Sequence, residues 1–194
     1  MEKRQNITAI ILAGGKSTRM GSDKGLTKLN NTAFVQHIIE AVKPHVNESI
    51  IISDNEKHDV FGLKRYNDII SNVGPLGGIF TGLYHSKTVV NLVISCDVPM
   101  IDSELILELL KNYSNEHDII QTKSNEKTMP LVAIYHKTCV SEAEQWIKEG
   151  KLRVREFVAS RKLKTINLDK RFEIQLFNIN TPEQLKKVAH VITD

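Results

Sequence analysis

The feature that most restricts this chain is Ile7-Thr-Ala-Ile-Ile-Leu-Ala13, an uncharged, β-branched and apolar run that stops at Gly14-Gly15. A strand with one wet face alternates apolar and polar residues; a run apolar on both faces reads as a strand of a parallel sheet covered by helices. Beyond the loop that follows, Phe34, Val35, Ile38, Ile39, Ala41 and Val42 recur at helical spacing, with Thr32 available as N-cap and Pro44 after the last apolar residue. The unit is strand, loop, helix, and the chain repeats it. Residues 49–53 read as a second strand, 56–61 as a short helix and 63–67 as a weaker strand. Gly74-Pro-Leu-Gly-Gly78 leads into an apolar helix ending near His85, and residues 89–95, the strongest strand pattern, stop at Cys96-Asp97. Asp102 can cap a helix whose Leu105, Ile106, Leu109 and Leu110 form one face, with Glu104 in its first turn and Lys111 near its end.

The second half is less regular. Residues 119–122 and 131–135 read as strands, 140–149 as a helix stopped by Gly150, 153–160 as a short helix, and 163–167 and 174–178 as further strands. Thr181-Pro-Glu-Gln184 is a capping box with proline at the first helical position, so a last helix starts there. The expected architecture is a mainly parallel, doubly wound sheet with an antiparallel edge strand drawn from the second half. Such sheets bind ligands beyond the carboxyl ends of their strands, which puts residues 14–24, 53–55, Asp68 and Asp97 on one rim.

Composition narrows the ligand. The 194 residues, 41% hydrophobic, suit one sizeable core, a single domain over 1–194. Twenty-six Lys and Arg against 23 acidic residues give a net charge of +3, too balanced for a protein that coats nucleic acid, so an anionic ligand has to be met by local charge. Cys96 and Cys139 lack metal-ligand or redox spacing, the polar start carries no secretory pattern, and no apolar run approaches the ~20 residues of a membrane helix. A cytoplasmic protein with no membrane association is expected.

Local charge sits behind the first strand, in Leu12-Ala-Gly-Gly-Lys-Ser-Thr-Arg-Met-Gly-Ser-Asp-Lys-Gly25. Glycines let backbone N–H groups approach an anion, and Lys16, Arg19 and Lys24 supply compensating charge. The spacing is not that of a Walker loop, which requires Gly-Lys-Ser/Thr four residues after a glycine, nor of a Gly-x-Gly-x-x-Gly dinucleotide turn. Lys16 fits either a phosphate contact or a solvated surface charge.

The pattern L-A-G-G-x-S-x-R-M-G-x-D-K resembles the signature of nucleotidyltransferases, the family of sugar-phosphate nucleotidylyltransferases and of molybdenum cofactor guanylyltransferases. Gly74-Pro-Leu-Gly-Gly-Ile79, Cys96-Asp-Val-Pro99 and Asn178-Ile-Asn-Thr-Pro-Glu183 narrow the resemblance to the guanylyltransferase, or MobA, type. The resemblance implies a Rossmann-like three-layer α/β/α nucleotidyltransferase fold and Mg²⁺-dependent transfer of GMP from GTP to molybdopterin or its molybdenum-bearing form, with pyrophosphate released. It further implies a monomer with transient contacts to cofactor-synthesis or acceptor enzymes. A CTP-dependent or sugar-phosphate nucleotidyltransferase, and a non-catalytic nucleotide carrier, are the alternatives.

By the same resemblance, Leu12, Ala13 and Gly14 lie against the nucleoside, Gly15 lies beside the phosphates and Asp68 belongs to the GTP site. Arg19 and Lys24 hold the triphosphate and neutralise charge that grows on the leaving pyrophosphate. Asp97 ends a buried strand, where a carboxylate is costly unless it meets solvent or a cation, so it is the expected Mg²⁺ ligand within the GTP site. Residues 74–78 would form a wall against the base, and Asn180 would contact the acceptor. No histidine, cysteine or serine nucleophile is needed, because an acceptor phosphate with a second pKa near ~6 arrives already ionised. Two departures stand out: the family often carries Asn at the end of the second strand, where Ser53-Asp-Asn55 lies here, and a His-Pro pair is replaced by Met129-Pro130.

Overall fold

The computed structural model of the chain describes residues 6–14 and 23–193. Its strands are β1 (Ile7–Leu12), β2 (Lys28–Leu29), β3 (Thr32–Ala33), β4 (Glu48–Ile52), β5 (Lys64–Tyr66), β6 (Val90–Ser95), β7 (Ile119–Ser124), β8 (Lys127–His136) and β9 (Leu163–Asn167). Its α-helices are α1 (Phe34–Val42), α2 (Pro75–His85), α3 (Ser103–Lys111), α4 (Cys139–Lys148), α5 (Val154–Ala159) and α6 (Pro182–Thr193). Seven strands form one sheet in the order β5-β4-β1-β6-β8-β7-β9, and β2 and β3 form a separate small ribbon. The first four are mutually parallel, β8 runs antiparallel to β6 and β7, and β9 is parallel to β7.

Alternation along β1 explains the layers. Ala9, Ile11 and Ala13 pack with Val35, Ile38 and Val42 of α1 and with Leu105, Ile106 and Leu109 of α3 on one face. Ile10 and Leu12 pack with Leu76, Ile79 and Leu83 of α2 and with Ala143 and Ile147 of α4 on the other. Each isoleucine so buried contributes about 1.5–3 kcal/mol relative to leaving it in water. The mainly parallel three-layer architecture read from the sequence is therefore present, and Asp102 Oδ1 caps α3 by accepting from Leu105 N at 2.9 Å.

Three details differ from expectation. The antiparallel strand, β8, lies inside the sheet, and β9 occupies the edge. The two-residue turn Asn125-Glu126, with φ of 47° and 59°, folds β8 back on β7, and β8 then fills the place beside β6. Residues 174–178 form no strand: they follow the 3₁₀ turn Lys170–Phe172, Leu176 N bonds Phe172 O at 3.2 Å, and Phe172 and Leu176 enter the core one helical turn apart. Thr32 does not cap α1. It pairs with Leu29 in the ribbon, Ala33 precedes the helix, and Phe34 N donates to Thr27 O at 2.9 Å.

The last helix returns to the first half of the chain. Its Val188, together with Ile179, packs against Leu29 and Phe34. The capping box forms as read: Thr181 Oγ1 accepts from Gln184 N at 3.3 Å, while Gln184 Oε1 accepts from Thr181 N at 3.1 Å and Asn180 N at 2.6 Å. Among the described residues no helix is long and apolar enough to cross a membrane.

Candidate active site

Two cavities open side by side at the carboxyl ends of the parallel strands. The first, about 540 Å³, is bordered by Leu12, Ala13 and Gly14 after β1, Ser53 and Asp54 after β4, and Asp68 after β5. Gly74, Pro75 and Gly78 at the start of α2 complete it, with Gly74 at φ 68°, a conformation that favours glycine. The second, about 550 Å³, is bordered by Asp97 and Val98 after β6, by β8 from Lys127 to Val132, by Arg153 and Arg155 beside and within α5, and by Asn178. Pro75 and Leu131 border both.

The interior position of β8 produces the second cavity. Running against β6, β8 brings its amino end to the rim where β6 ends at Ser95. There its pairing with β7 slips: Gln121 faces Ala133 but Thr122 faces Met129, leaving residues 130–132 as extra chain between them. Such bulges re-aim side chains beside functional sites. Proline suits this break because it has no N–H to pair, and Tyr135, fully buried, donates its hydroxyl to Pro130 O at 2.7 Å. Burial pushes the Tyr135 phenol pKa up, so it remains a donor.

The first cavity carries an unsatisfied acceptor. Asp68 Oδ1 is buried without a hydrogen-bond partner. Burial, then the Asp54 carboxylate, pushes the Asp68 carboxyl up to about 6. Asp54 is held nearby by accepting from Asp68 N at 3.0 Å. A buried acceptor of this kind calls for a partner such as a water, an ion or a ligand donor. The second cavity has its counterpart in Asn178 Oδ1, also buried and unpartnered.

Lys24 lies on the 3₁₀ turn Lys24–Leu26, next to Asp23 on the border of the first cavity, and its Nζ donates to Asn180 Oδ1 at 2.6 Å, two residues from Asn178 on the border of the second. Ile179 N donates to Asp97 O at 2.8 Å, so the C-terminal segment ties Lys24 to the end of β6. Leu12, Ala13, Gly14 and Asp68 thus converge on one cavity, while Asp97 faces the adjoining one and Lys24 and Asn180 touch each other. Gly15, Lys16 and Arg19 lie outside the described residues. Cys96 is buried and its thiol is pushed up to about 12, chiefly by burial, which makes it a packing residue and no nucleophile at neutral pH.

Among the described residues no three His, Cys, Asp or Glu side chains are grouped to cage a metal. The residues fit Mg²⁺ in its commoner mode, one or two carboxylates completed by substrate phosphate oxygens and water. Asp97 borders the second cavity and has no protein cation within ion-pair distance among the described residues.

Sequence reasoning missed a polar cluster next to this lysine. Asp23, Ser53, Asn55 and His58 contact one another, with His58 and Ser53 buried. The sequence signal was the N-cap pattern of Asp23 and Asn55, each preceding a 3₁₀ segment.

Comparison with known proteins identifies the family and the fold. Residues 9–165 match the family model described as the MobA-like NTP transferase domain. A Flavobacterium johnsoniae protein named "Probable molybdenum cofactor guanylyltransferase" is 35% identical over 181 residues, covering 93% of this chain and 95% of its own length. The molybdenum cofactor guanylyltransferase of Vibrio campbellii is 30% identical, covering 94% of each chain. The structure of molybdopterin-guanine dinucleotide biosynthesis protein A from Archaeoglobus fulgidus superposes with a TM-score of 0.81 over 96% of this chain and 98% of its own, at 22% identity, which shows a shared fold. The chain belongs to the MobA-like NTP transferase family.

Proposed function

We propose that this protein transfers GMP from GTP to molybdopterin or the molybdenum cofactor, as a single nucleotidyltransferase domain over residues 1–194. The observation that carries the reading is the pair of adjoining cavities at the strand ends, with Lys24 following Asp23 of the first and bonded to Asn180 two residues from Asn178 of the second; we assign the first to the nucleotide and the second to the acceptor.

The nucleoside occupies the first cavity. Guanine presents N–H donors on its edge, and the unpaired Asp68 carboxylate oxygen is the complementary acceptor. The acceptor occupies the second. Its apolar floor at Met129 and Leu131 suits a flat ring, Asn178 Oδ1 accepts a ring N–H, and the exposed cations Lys127, Arg153 and Arg155 meet the acceptor phosphate at the rim.

An acceptor phosphate oxygen then forms a bond to the α-phosphorus of GTP as the bond from that phosphorus to the oxygen bridging the α- and β-phosphates breaks, and pyrophosphate leaves with the electron pair. Lys24 balances the charge moving onto that leaving group, with Arg19 as its expected partner. Mg²⁺, held by Asp97 with substrate oxygens, would supply further charge neutralisation. No side chain needs to remove a proton, since the nucleophile is already an anion. Holding the two substrates in line lowers the barrier by positioning. The enzyme is read as a cytoplasmic monomer.

The test is pyrophosphate release on mixing the protein with GTP, Mg²⁺ and molybdopterin. Release with GTP alone among the four nucleoside triphosphates is expected; equal release with CTP would move the activity to the cytidylyl transfer, and tight GTP binding without release would make the protein a carrier.

A further inference from the structure

His58 sits on the 3₁₀ segment Glu56–Phe61 with its side chain fully buried. Its Nδ1 is 2.8 Å from Ser53 Oγ, on the border of the nucleotide cavity. Its Nε2 lies 3.2 Å from Asp23 Oδ1 yet makes no aligned hydrogen bond. A leucine would fill the same space without burying a polar nitrogen so incompletely satisfied. The ring is therefore held by what its nitrogens face.

What they face is the turn that carries Lys24. Asp23 Oδ1 accepts from Gly25 N at 2.9 Å and Leu26 N at 3.4 Å, and Oδ2 accepts from Asn55 Nδ2 at 2.6 Å. On the other side of the lysine, a Cβ added to Gly25 would stand 2.7 Å from His58 Nε2 and 2.9 Å from Val35 Cγ2. The imidazole thus touches the residues flanking Lys24 on both sides. A lysine side chain is a flexible stem, so the placement of its backbone decides where its charge can reach. The Ser53 hydroxyl is turned to His58 and also accepts from Asn55 N at 3.1 Å, so it is engaged by this cluster.

We propose that His58 is a positioning residue: wedged between Ser53 and the Asp23–Gly25 turn, it fixes where Lys24 meets the triphosphate. The inference rests on the role given to Lys24 above.

Two near-isosteric variants of the full chain test it. In His58→Gln the amide nitrogen replaces Nε2 toward Asp23; in His58→Asn it replaces only Nδ1 toward Ser53. Single-turnover GMP transfer at saturating GTP, equilibrium GTP affinity and melting temperature are measured for each, alone and with Lys24→Ala. His58→Gln is expected to keep most of the rate. His58→Asn should lose on the order of 10²-fold in rate, the cost of misplacing a group by about 1 Å, with GTP affinity nearly unchanged. On the Lys24→Ala background it should cost nothing more, since coupled residues are non-additive.

Equal losses in both His58 variants, tracking melting temperature, would make the residue simple packing and overturn the inference. An undiminished loss on the Lys24→Ala background would overturn the inference alone. A wild-type rate for Lys24→Ala itself would overturn both the inference and the catalytic role of the lysine. Should His58→Asn not fold, Gly25→Ala, which drives a methyl against Nε2, takes its place: a rate loss that vanishes on the Lys24→Ala background is expected, and one that persists there overturns the inference.

Discussion

The two cavities share a wall at Pro75 and Leu131 and are nearly equal in size, but among their described lining residues only the second has cations. The first is edged by carboxylates, Asp54 and Asp68, and by the ends of parallel strands. The second carries three cations, Lys127, Arg153 and Arg155, beside the carboxylates Asp97 and Glu156, the latter paired with Arg153 at 2.8 Å, and is built on a strand that runs the other way. An acidic edge suits the N–H groups of a base, and a basic edge suits a phosphate arriving as nucleophile. Under the proposed assignment of nucleotide to the first cavity and acceptor to the second, selectivity for each substrate can change without the other, while Lys24 and Asp97 are the groups assigned to the reaction itself.

The sharpest way to break that division is at the two residues assigned to the reaction. Asp97→Asn keeps the side-chain shape but removes the charge, and transfer should fall on the order of 10³-fold with the circular dichroism spectrum unchanged. Retained turnover with the same Mg²⁺ requirement would remove Asp97 from metal binding. Lys24→Ala should lower the single-turnover rate on the order of 10²-fold and weaken GTP binding less, because it meets charge that grows during the reaction. A rate near wild type at saturating GTP would leave it a ground-state role only.

A smaller effect separates the cavities directly. Replacing Arg153 and Arg155 together with glutamine should raise the acceptor KM about tenfold and leave the GTP KM alone, since a lost charge-assisted bond is worth about 1.5–3 kcal/mol. Steady-state titration of each substrate checks this; a rise in both constants would mean that the cavities are not independent.

The smallest effect concerns pH. With the Asp68 carboxyl pushed up to about 6, GTP affinity should weaken as pH falls through that value, where the acceptor becomes protonated, and Asp68→Asn should flatten this dependence. The same shift has a stability sign: the folded state holds this proton more tightly than the unfolded chain, so the group favours folding in acid and less so as pH rises from about 4 to about 6. Asp68→Asn should accordingly raise the melting temperature above pH 6 and do nothing near pH 4. A destabilised variant at neutral pH would show that the carboxylate has a protein partner after all.

The parallel half of the sheet was legible because burial on both faces writes itself into strings such as Ile7 to Ala13, whatever the tertiary context. The first cavity followed, since strand ends and glycines are visible in a sequence. Ile174 and Leu176 also alternate with polar residues, but Leu176 is buried with Phe172 across one local turn, and two apolar residues are too few to fix a period. The sheet position of β8 depends on which neighbour is free, a long-range choice that no local pattern records. Asp68 was placed by resemblance, whereas its unsatisfied oxygen appears only once α2 covers it. His58 left no trace at all, because an isolated histidine between charged residues looks like surface until Ser53 and Asp23 close around it.

The bond between Lys24 and Asn180 spans 156 positions of the chain. During synthesis every strand of the sheet leaves the ribosome before Asn180 does. A nascent chain can therefore assemble its nucleotide cavity while Lys24 still lacks its partner and α6 has yet to dock on Leu29 and Phe34. Lys24, the cation assigned above to the leaving group, thus meets its partner only after the strands of the sheet have been made, and a chain cut short before Asn180 would lack that bond.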